Sequence, residues 1–538
     1  MKRFMALVVC GAIVWMASAQ HDNSTWPTFR ATTLRVGSAT AAGPAVNLAW
    51  RVSTPYGPAP GGFTVSAAGD IYYLSGEADG GASHTFAFRL NPATGAVLAQ
   101  SPVLGGQLGC YGGVAVGAGN ECYVTVYAAA DSPLNGIVVL DKQTLAIVRE
   151  FRNDPNAPIF GRVQGTPYIS DVLNNQGHRN LYVHDRNARA LHAIDSVSGA
   201  HMWTAVLEIG DLPMGQFGPC WVDGGKQIIA IFGNSSLLGG YAIQDNGDNT
   251  YTQLWNGGPF SFNWWGSGAM SADNQRIYVT TFNDAGADAL WAINKADGNV
   301  VWSVPGNRGD PNLEHNFFGR PATYGNRVYC GGGYGVVACF EDNGASYTKM
   351  WELRDFYGEH TCVSVAHDSG TNATYVYAAK QEQIDPDPND PNNDPPHIGA
   401  GELIVLRDDG NTFTELLRTD LDGTMLKSLY ATTSLTIDGA GNLYVGSGWP
   451  NNAGLGPADI YKFTPAPPIC RGDCNCDDFV DFGDINPFVQ ALSDLPGWQQ
   501  QYPNCPLGNP DVNGDGHIDF GDINPFVAIL SAGGGPCP

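Results

Sequence analysis

The sequence has 538 residues with 52 acidic and 27 basic side chains, which gives a formal net charge of −25 at pH 7. A chain this acidic repels nucleic acid and anionic membrane surfaces, so we expect neither as a partner. The length allows a large hydrophobic core and more than one domain.

The chain begins with the pattern of an export signal. Residues 1–19 combine basic Lys2 and Arg3, an apolar run and a small-residue cleavage pattern at Ala17–Ala19, which are the three parts of a secretory signal peptide. A lipoprotein anchor at Cys10 is less favoured because the apolar run continues past it. No later stretch reaches the roughly 18 unbroken apolar residues of a membrane span. We therefore predict a secreted, extracellular protein without a membrane span.

Residues 20–463 repeat one pattern with a period of about fifty residues. Each copy contains an extended apolar run, a Gly-rich turn, an Asp or Asn followed four residues later by Gly, and an aromatic or aliphatic anchor. We count eight copies, of which the clearest end at Trp203 and Trp302 and weaker ones at Trp255 and Trp351. Short alternating runs between such turns predict antiparallel strands, and their repetition predicts an all-β, eight-bladed β-propeller.

Three further segments complete this organisation. Asn47–Trp50 contains an anchor tryptophan with no preceding strands, so we expect it to supply the outer strand of the last blade and close the ring. Gln381–Gly401 is rich in Pro, Asp and Asn and is predicted to be an exposed, largely disordered loop within the seventh copy. Residues 464–469 form a short Pro-rich linker ahead of the C-terminal region.

Two phrases indicate the kind of propeller. Ala193–Gly199 (AIDSVSG) before Trp203 and Ala292–Gly298 (AINKADG) before Trp302 resemble the repeats of PQQ-type (quinoprotein alcohol dehydrogenase-like) propellers. The resemblance implies that the tryptophans wedge between blades. Quinoprotein dehydrogenases also have two adjacent cysteines against the cofactor and an Asp, Asn and Glu set around calcium. This sequence has no two neighbouring cysteines, so we do not expect PQQ as a cofactor and favour a non-catalytic role.

The segments before each innermost strand are predicted to line the mouth of the propeller channel. They contain aromatic rings suited to stacking on sugars, together with Arg and His donors, although each can equally be a scattered surface or inter-blade residue. No GxSxG, HExxH or GxxxxGK[ST] motif occurs, and we assign no catalytic residue. The candidates for contact with a carbohydrate ligand are Trp264, Trp265, His315, Arg320 and His360.

The C-terminal region, residues 470–538, contains an internal duplication with an offset of 38 residues. We name its halves loop 1, Asp473–Asp484, and loop 2, Asp511–Asp522. Oxygen side chains occupy positions 1, 3, 5, 9 and 12 of each loop, and position 7 offers its backbone carbonyl, which suits the six to eight oxygens that calcium prefers. The predicted ligands are Asp473, Asn475, Asp477, Phe479, Asp481 and Asp484 in loop 1, and Asp511, Asn513, Asp515, His517, Asp519 and Asp522 in loop 2.

Position 6 of such a loop needs a sharp turn of the backbone. Loop 2 has Gly516 there, whereas loop 1 has Asp478, which tolerates a left-handed backbone at some cost. The alternative for both loops is a pair of Asx-rich turns without metal. An apolar i, i+3, i+4, i+7 stripe follows each loop and predicts a helix. The stripes are Ile485, Phe488, Val489 and Leu492, and Ile523, Phe526, Val527 and Leu530.

Two loop–helix halves, with Asp at position 12 and no helix ahead of the loop, resemble a dockerin type I module. The resemblance implies two Ca²⁺ ions and, as partner, a cohesin-like protein or a cell-surface component. In dockerins the residues after position 9 help to contact the cohesin. Both copies here have Phe-Gly at that point, starting at Phe482 and Phe520, instead of the small hydroxyl pair of cellulosomal dockerins, so the identity of the partner stays open.

Eleven of the twelve cysteines remain once Cys10 leaves with the signal peptide, and we expect them in an oxidising compartment. A module as small as the C-terminal one gains stability from covalent links. We favour Cys476–Cys505 and Cys470–Cys537, although sequence alone leaves the connectivity open.

Four cysteines of the repeat region are further disulfide candidates. Cys330 and Cys339 flank a hairpin-like turn and are placed to bridge it, and Cys110 and Cys122 are placed similarly. No Cys/His spacing in the sequence indicates zinc.

We predict a secreted, calcium-binding, dockerin-bearing propeller protein that acts as a binding or scaffold component and docks to a cohesin-type partner or a cell surface. The alternative is a carbohydrate-active enzyme serving polysaccharide catabolism, either a polysaccharide hydrolase or lyase or a PQQ-type sugar or alcohol oxidoreductase. A tight cluster of acidic or histidine side chains on one propeller face would distinguish the two, and the sequence does not locate one.

Overall fold

The chain is described by a computed structural model that divides into two units. The first unit is Leu48–Phe463 with the residues up to Ala42, and the second is Thr464–Pro538 with Gly43–Asn47. The predicted signal peptide lies outside the described residues, and no described helix is long and apolar enough to cross a membrane. The structure describes residues 38–40, 43–54, 62–79, 82–105, 113–127, 132–153, 159–161, 163–185, 188, 190–206, 220–223, 227–234, 237–257, 268–281, 289–306, 321–332, 336–354, 359–381, 401–421, 435–446, 458–465, 469–502 and 505–537.

Residues 38–465 contain only strands as regular structure in the described part. In chain order they are β1 Ser38–Thr40, β2 Ala45–Thr54, β3 Phe63–Val65, β4 Ile71–Asp79, β5 Ala82–Leu90, β6 Val97–Gln100, β7 Ala115–Val116, β8 Glu121–Val126, β9 Gly136–Asp141, β10 Ile147–Arg152, β11 Val163–Leu173, β12 Arg179–Asp185, β13 Ala190–Asp195, β14 His201–Val206, β15 Cys220–Asp223, β16 Gln227–Asn234, β17 Leu237–Asp245, β18 Tyr251–Gly257, β19 Gly268–Met270, β20 Arg276–Thr281, β21 Ala289–Asn294, β22 Val300–Pro305, β23 Ala322–Tyr324, β24 Arg327–Gly331, β25 Val337–Asp342, β26 Tyr347–Leu353, β27 Glu359–Asp368, β28 Ala373–Gln381, β29 Gly401–Asp408, β30 Phe413–Leu421, β31 Thr436–Ile437, β32 Leu443–Gly446 and β33 Ala458–Pro465.

Within the described residues these strands form sheets that follow one another along the chain. Six sheets use four consecutive strands each, namely β3–β6, β7–β10, β11–β14, β15–β18, β19–β22 and β23–β26. The seventh contains β27–β30 and has β1 paired in parallel along β27. The last contains β31–β33 and has β2 beside β33. The prediction that Asn47–Trp50 supplies the outer strand of the last sheet is confirmed, because these residues lie in β2.

Successive sheets pack face to face through apolar side chains. Val138 of β9 lies in a buried cluster with Tyr72 of the first sheet, whereas its neighbour Val139 lies in a cluster with Ile169 and Leu181 of the third. Side chains alternate between the two faces of a strand. A strand covered on both faces is therefore apolar along its whole length, which explains the unbroken apolar runs in the sequence.

The Gly and Trp of the repeat are explained by one contact between neighbouring sheets. Gly298 ends the turn after β21 with a left-handed backbone (φ +73°), and a Cβ built there would lie 2.6 Å from the ring of Trp255 in the preceding sheet. Trp255 Nε1 donates to the carbonyl of Lys295 in the same turn at 2.7 Å. Glycine is thus needed both for the turn and to admit the ring. The predicted wedge role of the tryptophans is confirmed, since each of four lies in a buried cluster that includes residues of the next sheet, namely Trp203, Trp255, Trp302 and Trp351.

Where the repeat lacks tryptophan, other side chains make the same contact. Arg149 of the second sheet occupies the corresponding position on β10, opposite Val139, and its Nη2 donates to the carbonyl of Ser196 in the third sheet at 3.0 Å. Ser196, like Lys295, directly follows the Asp or Asn of its turn. Arg149 therefore makes, between the second and third sheets, the hydrogen bond that Trp255 makes between the fourth and fifth.

The last sheet contacts the first. Thr436 Oγ1 on β31 donates to the carbonyl of Phe63 on β3 at 3.0 Å. Trp50 Nε1 on β2 and Lys462 Nζ on β33 both donate to the carbonyl of Pro92, which follows β5, at 3.1 and 3.0 Å. The end of the repeat region is thereby joined to its beginning by the same kind of tryptophan contact that joins neighbouring sheets.

The second unit contains two loop–helix halves and one helix between them. The elements are β34 Phe479–Val480, a 3₁₀ turn Phe482–Asp484, α1 Ile485–Ser493, α2 Leu495–Gln501, a 3₁₀ turn Phe520–Asp522, α3 Ile523–Ser531 and β35 Gly535–Pro536. The rings of Phe488 and Phe526 stack with centroids 4.2 Å apart in a small buried core. The two helices predicted by the apolar stripes are present, but the first and third stripe residues of each helix (Ile485, Val489, Ile523 and Val527) are exposed.

The disulfides of the described residues lie in the second unit. Cys470–Cys537 and Cys476–Cys505 are both formed, as favoured from the sequence. The predicted bridge between Cys330 and Cys339 is wrong. In the β24–β25 pairing Cys330 faces Ala338 and Cys339 faces Tyr329, so this one-residue offset directs the two side chains to opposite faces of the sheet.

Cys330 and Cys339 accordingly belong to different apolar clusters. Cys122 is buried without a disulfide among the described residues, and its predicted partner Cys110 lies outside them.

Candidate metal centre

The two loops fold into the same hydrogen-bonded shape. In loop 1 Asp473 Oδ1 and Oδ2 accept from the backbone N–H groups of positions 5 and 6, at 3.2 Å each. In loop 2 Asp511 accepts from the corresponding groups at 3.1 and 3.0 Å. Asn475 and Asn513 accept from the N–H of position 5 at 2.9 and 2.8 Å. The backbone of each loop thus curves around the side chains of positions 1 and 3, which accept its N–H groups.

Position 12 closes each loop with a buried carboxylate. Asp484 and Asp522 are completely buried. Asp484 accepts from the backbone N–H of Asn475 at 3.0 Å and of Asp481 at 2.9 Å. Asp522 makes the matching bonds to Asn513 and Asp519 at 2.9 and 3.0 Å. These bonds bring positions 3, 9 and 12 together at one side of the loop.

Positions 5, 7 and 9 complete the turn. Asp477 Oδ1 accepts from the N–H of Phe479 at 3.1 Å, and Asp515 Oδ1 from that of His517 at 2.9 Å. Asp481 and Asp519, at position 9, each accept from the backbone N–H of position 11, Gly483 and Gly521, at 2.6 Å.

No loop carboxylate takes part in an ion pair among the described residues. All ion pairs of the described residues involve other carboxylates. Burial raises the pKa of Asp473, and the charge of Asp484 raises it further. Burial is also the main cause that raises the pKa of Asp484. Two carboxylates held this way gain from a cation between them.

The donor set fits a hard divalent cation. The predicted ligand positions of each loop offer oxygens only, five from side chains and one from a backbone carbonyl, which suits calcium. Cys470, Asp473 and Cys537 also lie close together. Those two sulfurs are joined in a disulfide, so they form no thiolate site for zinc.

Two residues that position the loops were missed from the sequence. Asn509 Nδ2 donates to the carbonyl of Asp473 at 2.7 Å, and Arg471 Nε donates to the carbonyl of Asp511 at 3.1 Å. Each precedes position 1 of its own loop by two residues and bonds to position 1 of the other. The 38-residue offset relates Arg471 to Asn509, so extending the repeat two residues upstream would have found this reciprocal pair.

The predicted ligand-face residues stay a prediction, because the structure does not describe their side chains. Trp264, Trp265, His315 and Arg320 lie outside the described residues. The backbone of His360 lies on β27 opposite Lys380, and its side chain is outside the described part.

Comparison with known proteins defines the class of the first unit. A quinohemoprotein alcohol dehydrogenase from Comamonas testosteroni matches with a TM-score of 0.52 at 12% identity, covering 83% of this chain and 81% of its own. At this identity the likeness shows the fold alone. Together with the sheet order, it shows that the first unit has a β-propeller fold.

A narrower match and weaker likenesses accompany it. The PQQ-repeat family model described as outer membrane protein assembly factor BamB matches residues 249–348. BamB from Moraxella catarrhalis has a TM-score of 0.38 at 15% identity, over 62% of this chain and 96% of that one. A europium-containing methanol dehydrogenase has a TM-score of 0.41 at 11% identity, over 82% and 98%. No curated protein sequence matches the chain.

Proposed function

We propose that this is a secreted, calcium-binding propeller protein whose C-terminal module is dockerin-like and docks to a cohesin-type partner. The observation behind the proposal is the pair of loops with one shared geometry, each closed by a buried carboxylate at Asp484 or Asp522. Calcium, when bound, would supply the positive charge that these loops lack. Asp473–Asp484 and Asp511–Asp522 would hold one ion each through the predicted ligands. Binding energy of this kind contributes to folding in a module with a small core.

The docking surface we assign is apolar and occurs twice. Phe482 and Phe520, at position 10 of the two loops, are 76% and 82% exposed. Val489 and Val527, seven residues further on, are also exposed. An apolar side chain that stays in solvent in two equivalent places fits a partner that covers it. The aromatic ring in place of a small hydroxyl predicts a cohesin-type surface with an apolar pocket.

For the first unit we propose an eight-bladed ring that serves as a binding scaffold. The proposal is supported by the sheets of the described residues and by the bonds from Thr436 and Trp50 of the last sheet to the first. With β2 supplying the outer strand of the last blade, the two ends of the repeat region hold each other.

The test is capture of the full chain by a panel of immobilised cohesin modules, with calcium and again with EDTA. We expect capture only in calcium, and loss of capture in the double variant Phe482→Ala and Phe520→Ala. Leu507→Ala is the matched control, because this exposed apolar side chain lies in the second unit but outside both loops. Capture that persists in EDTA, or no capture by any cohesin, would contradict the docking function.

A further inference from the structure

Loops 1 and 2 differ at two positions where their backbones agree. Positions 4 and 6 are left-handed in both, with φ of +57° and +70° at Cys476 and Asp478 and of +77° and +87° at Gly514 and Gly516. Glycine adopts this conformation freely, whereas a side chain makes it unfavourable. Loop 1 therefore needs something to hold both positions, and loop 2 does not.

Position 4 of loop 1 is held by a covalent bond. Cys476 forms a disulfide with Cys505, whose sulfur lies 3.7 Å from the carbonyl oxygen of Asp473. Asn509 Nδ2, which donates to the same carbonyl, lies 3.3 Å from the sulfur of Cys476. The disulfide thus holds Cys476, at position 4, next to Asn509, whose side chain binds the backbone carbonyl of position 1.

Position 6 is held by the C-terminal segment and the other disulfide. The backbone N–H of Cys537 donates to the carbonyl of Asp478 at 2.9 Å, and β35 pairs with β34 just beyond it. Cys537 is bonded to Cys470, ahead of the loop, and its sulfur lies 3.2 Å from Asp473 Oδ2. Loop 2 contains no cysteine and has glycine at both positions.

We propose that the two disulfides are positioning elements that hold loop 1 in its calcium-binding shape, the task that Gly514 and Gly516 perform in loop 2. The inference rests on the proposed calcium function and adds that the two sites are not equivalent. Calcium at loop 1 depends on the disulfides, and calcium at loop 2 is independent of them.

The test is a calorimetric calcium titration of the full chain in three forms. The wild type is compared with the variant Cys476→Ala, Cys505→Ala and with the variant Cys476→Gly, Cys505→Ala. Both variants lack the same disulfide, and only the second has glycine at position 4. We expect two sites in the wild type, one site weakened about tenfold in the alanine variant, and recovery of most of that loss in the glycine variant.

The difference in calcium affinity between the two loops distinguishes a positioning role of the disulfide from a general effect on stability. A module that had merely become less stable would lose affinity at both loops together. Equal weakening of the two sites, or two unchanged sites in the alanine variant, would overturn the inference while leaving calcium binding intact. A glycine variant no better than the alanine variant would also overturn it. A wild type that binds no calcium would overturn the proposed function itself.

Discussion

The two units are both built by repetition, but their repeats are held together by different forces. In the first unit, neighbouring sheets share apolar clusters, and a turn such as that at Gly298 receives the ring of the preceding sheet. In the second unit, the buried apolar cluster is small, with Cys474, Phe488, Val512 and Phe526 at its centre. Two disulfides and two acidic loops surround that cluster.

The difference follows from size. A chain of several hundred residues buries most of its apolar surface, whereas one of about seventy gains only a few kcal/mol from its core and uses disulfides or metal in addition. We therefore expect the free energy of unfolding of the first unit to be independent of calcium and to fall when its inter-sheet contacts are altered. The free energy of unfolding of the second unit should depend on calcium and be unaffected by those contacts.

The largest effect is expected at Asp484. Asp484→Ala removes a completely buried carboxylate that closes loop 1, so the second unit should lose the calcium of that loop and about 4 kcal/mol of unfolding free energy. The control is Asp494→Ala, which removes an exposed cap at the start of α2 at a cost of about 1 kcal/mol. Denaturant unfolding in calcium measures both, and equal losses would contradict the metal role of Asp484.

The next effect tests the contact between sheets. Gly298→Ala places a Cβ against the ring of Trp255 and should destabilise the first unit by about 3 kcal/mol, combining strain and steric overlap. Gly410→Ala is the control, because Gly410 is also left-handed but has open space around its Cβ position; it should cost about 1 kcal/mol. Calorimetry of the first unit's unfolding transition compares the two variants. A similar shift in unfolding temperature for both would mean that backbone strain alone, without the contact to Trp255, explains the need for glycine at position 298.

The smallest effect concerns the indole N–H of the wedge tryptophans. Trp302→Phe and Trp203→Phe both shrink a buried ring and lose similar packing. Trp302 Nε1 also donates to Asp342 at 3.2 Å, whereas Trp203 Nε1 is buried without a hydrogen-bond partner among the described residues, so Trp302→Phe should cost about 1 kcal/mol more than Trp203→Phe. The unfolding temperatures of the two variants measure this difference, and a loss at Trp203 that equals or exceeds the loss at Trp302 would contradict a stabilising role for the bond to Asp342.

The sequence predicted what depends on pattern. The period of the repeat, the outer strand around Trp50 and the two helices after the loops follow from spacing and residue type. Both disulfides of the second unit were favoured as well and are present, although the sequence alone left their connectivity open. The left-handed backbone expected at Asp478 is confirmed as well. These features are local, or are repeated often enough for one copy to support the next.

The sequence did not predict what depends on register and on facing partners. The bridge between Cys330 and Cys339 was wrong because a single residue of register decides which face a side chain takes. Arg149 could not be recognised as a substitute for tryptophan, since its partner is a backbone carbonyl of the next sheet. The left-handed backbone at Cys476 was not predicted, because it is recognised only when position 4 of loop 1 is compared with Gly514 at position 4 of loop 2.

Hydrogen–deuterium exchange of the full chain, read peptide by peptide in calcium and in EDTA, tests the central claim most directly. If calcium stabilises the second unit alone, EDTA should increase exchange in residues 469–537 by tenfold or more, about 1.4 kcal/mol or greater. The strands from β3 to β33 should exchange at unchanged rates. Unchanged protection of residues 469–537 in EDTA would contradict the account, and so would an equal loss in both units.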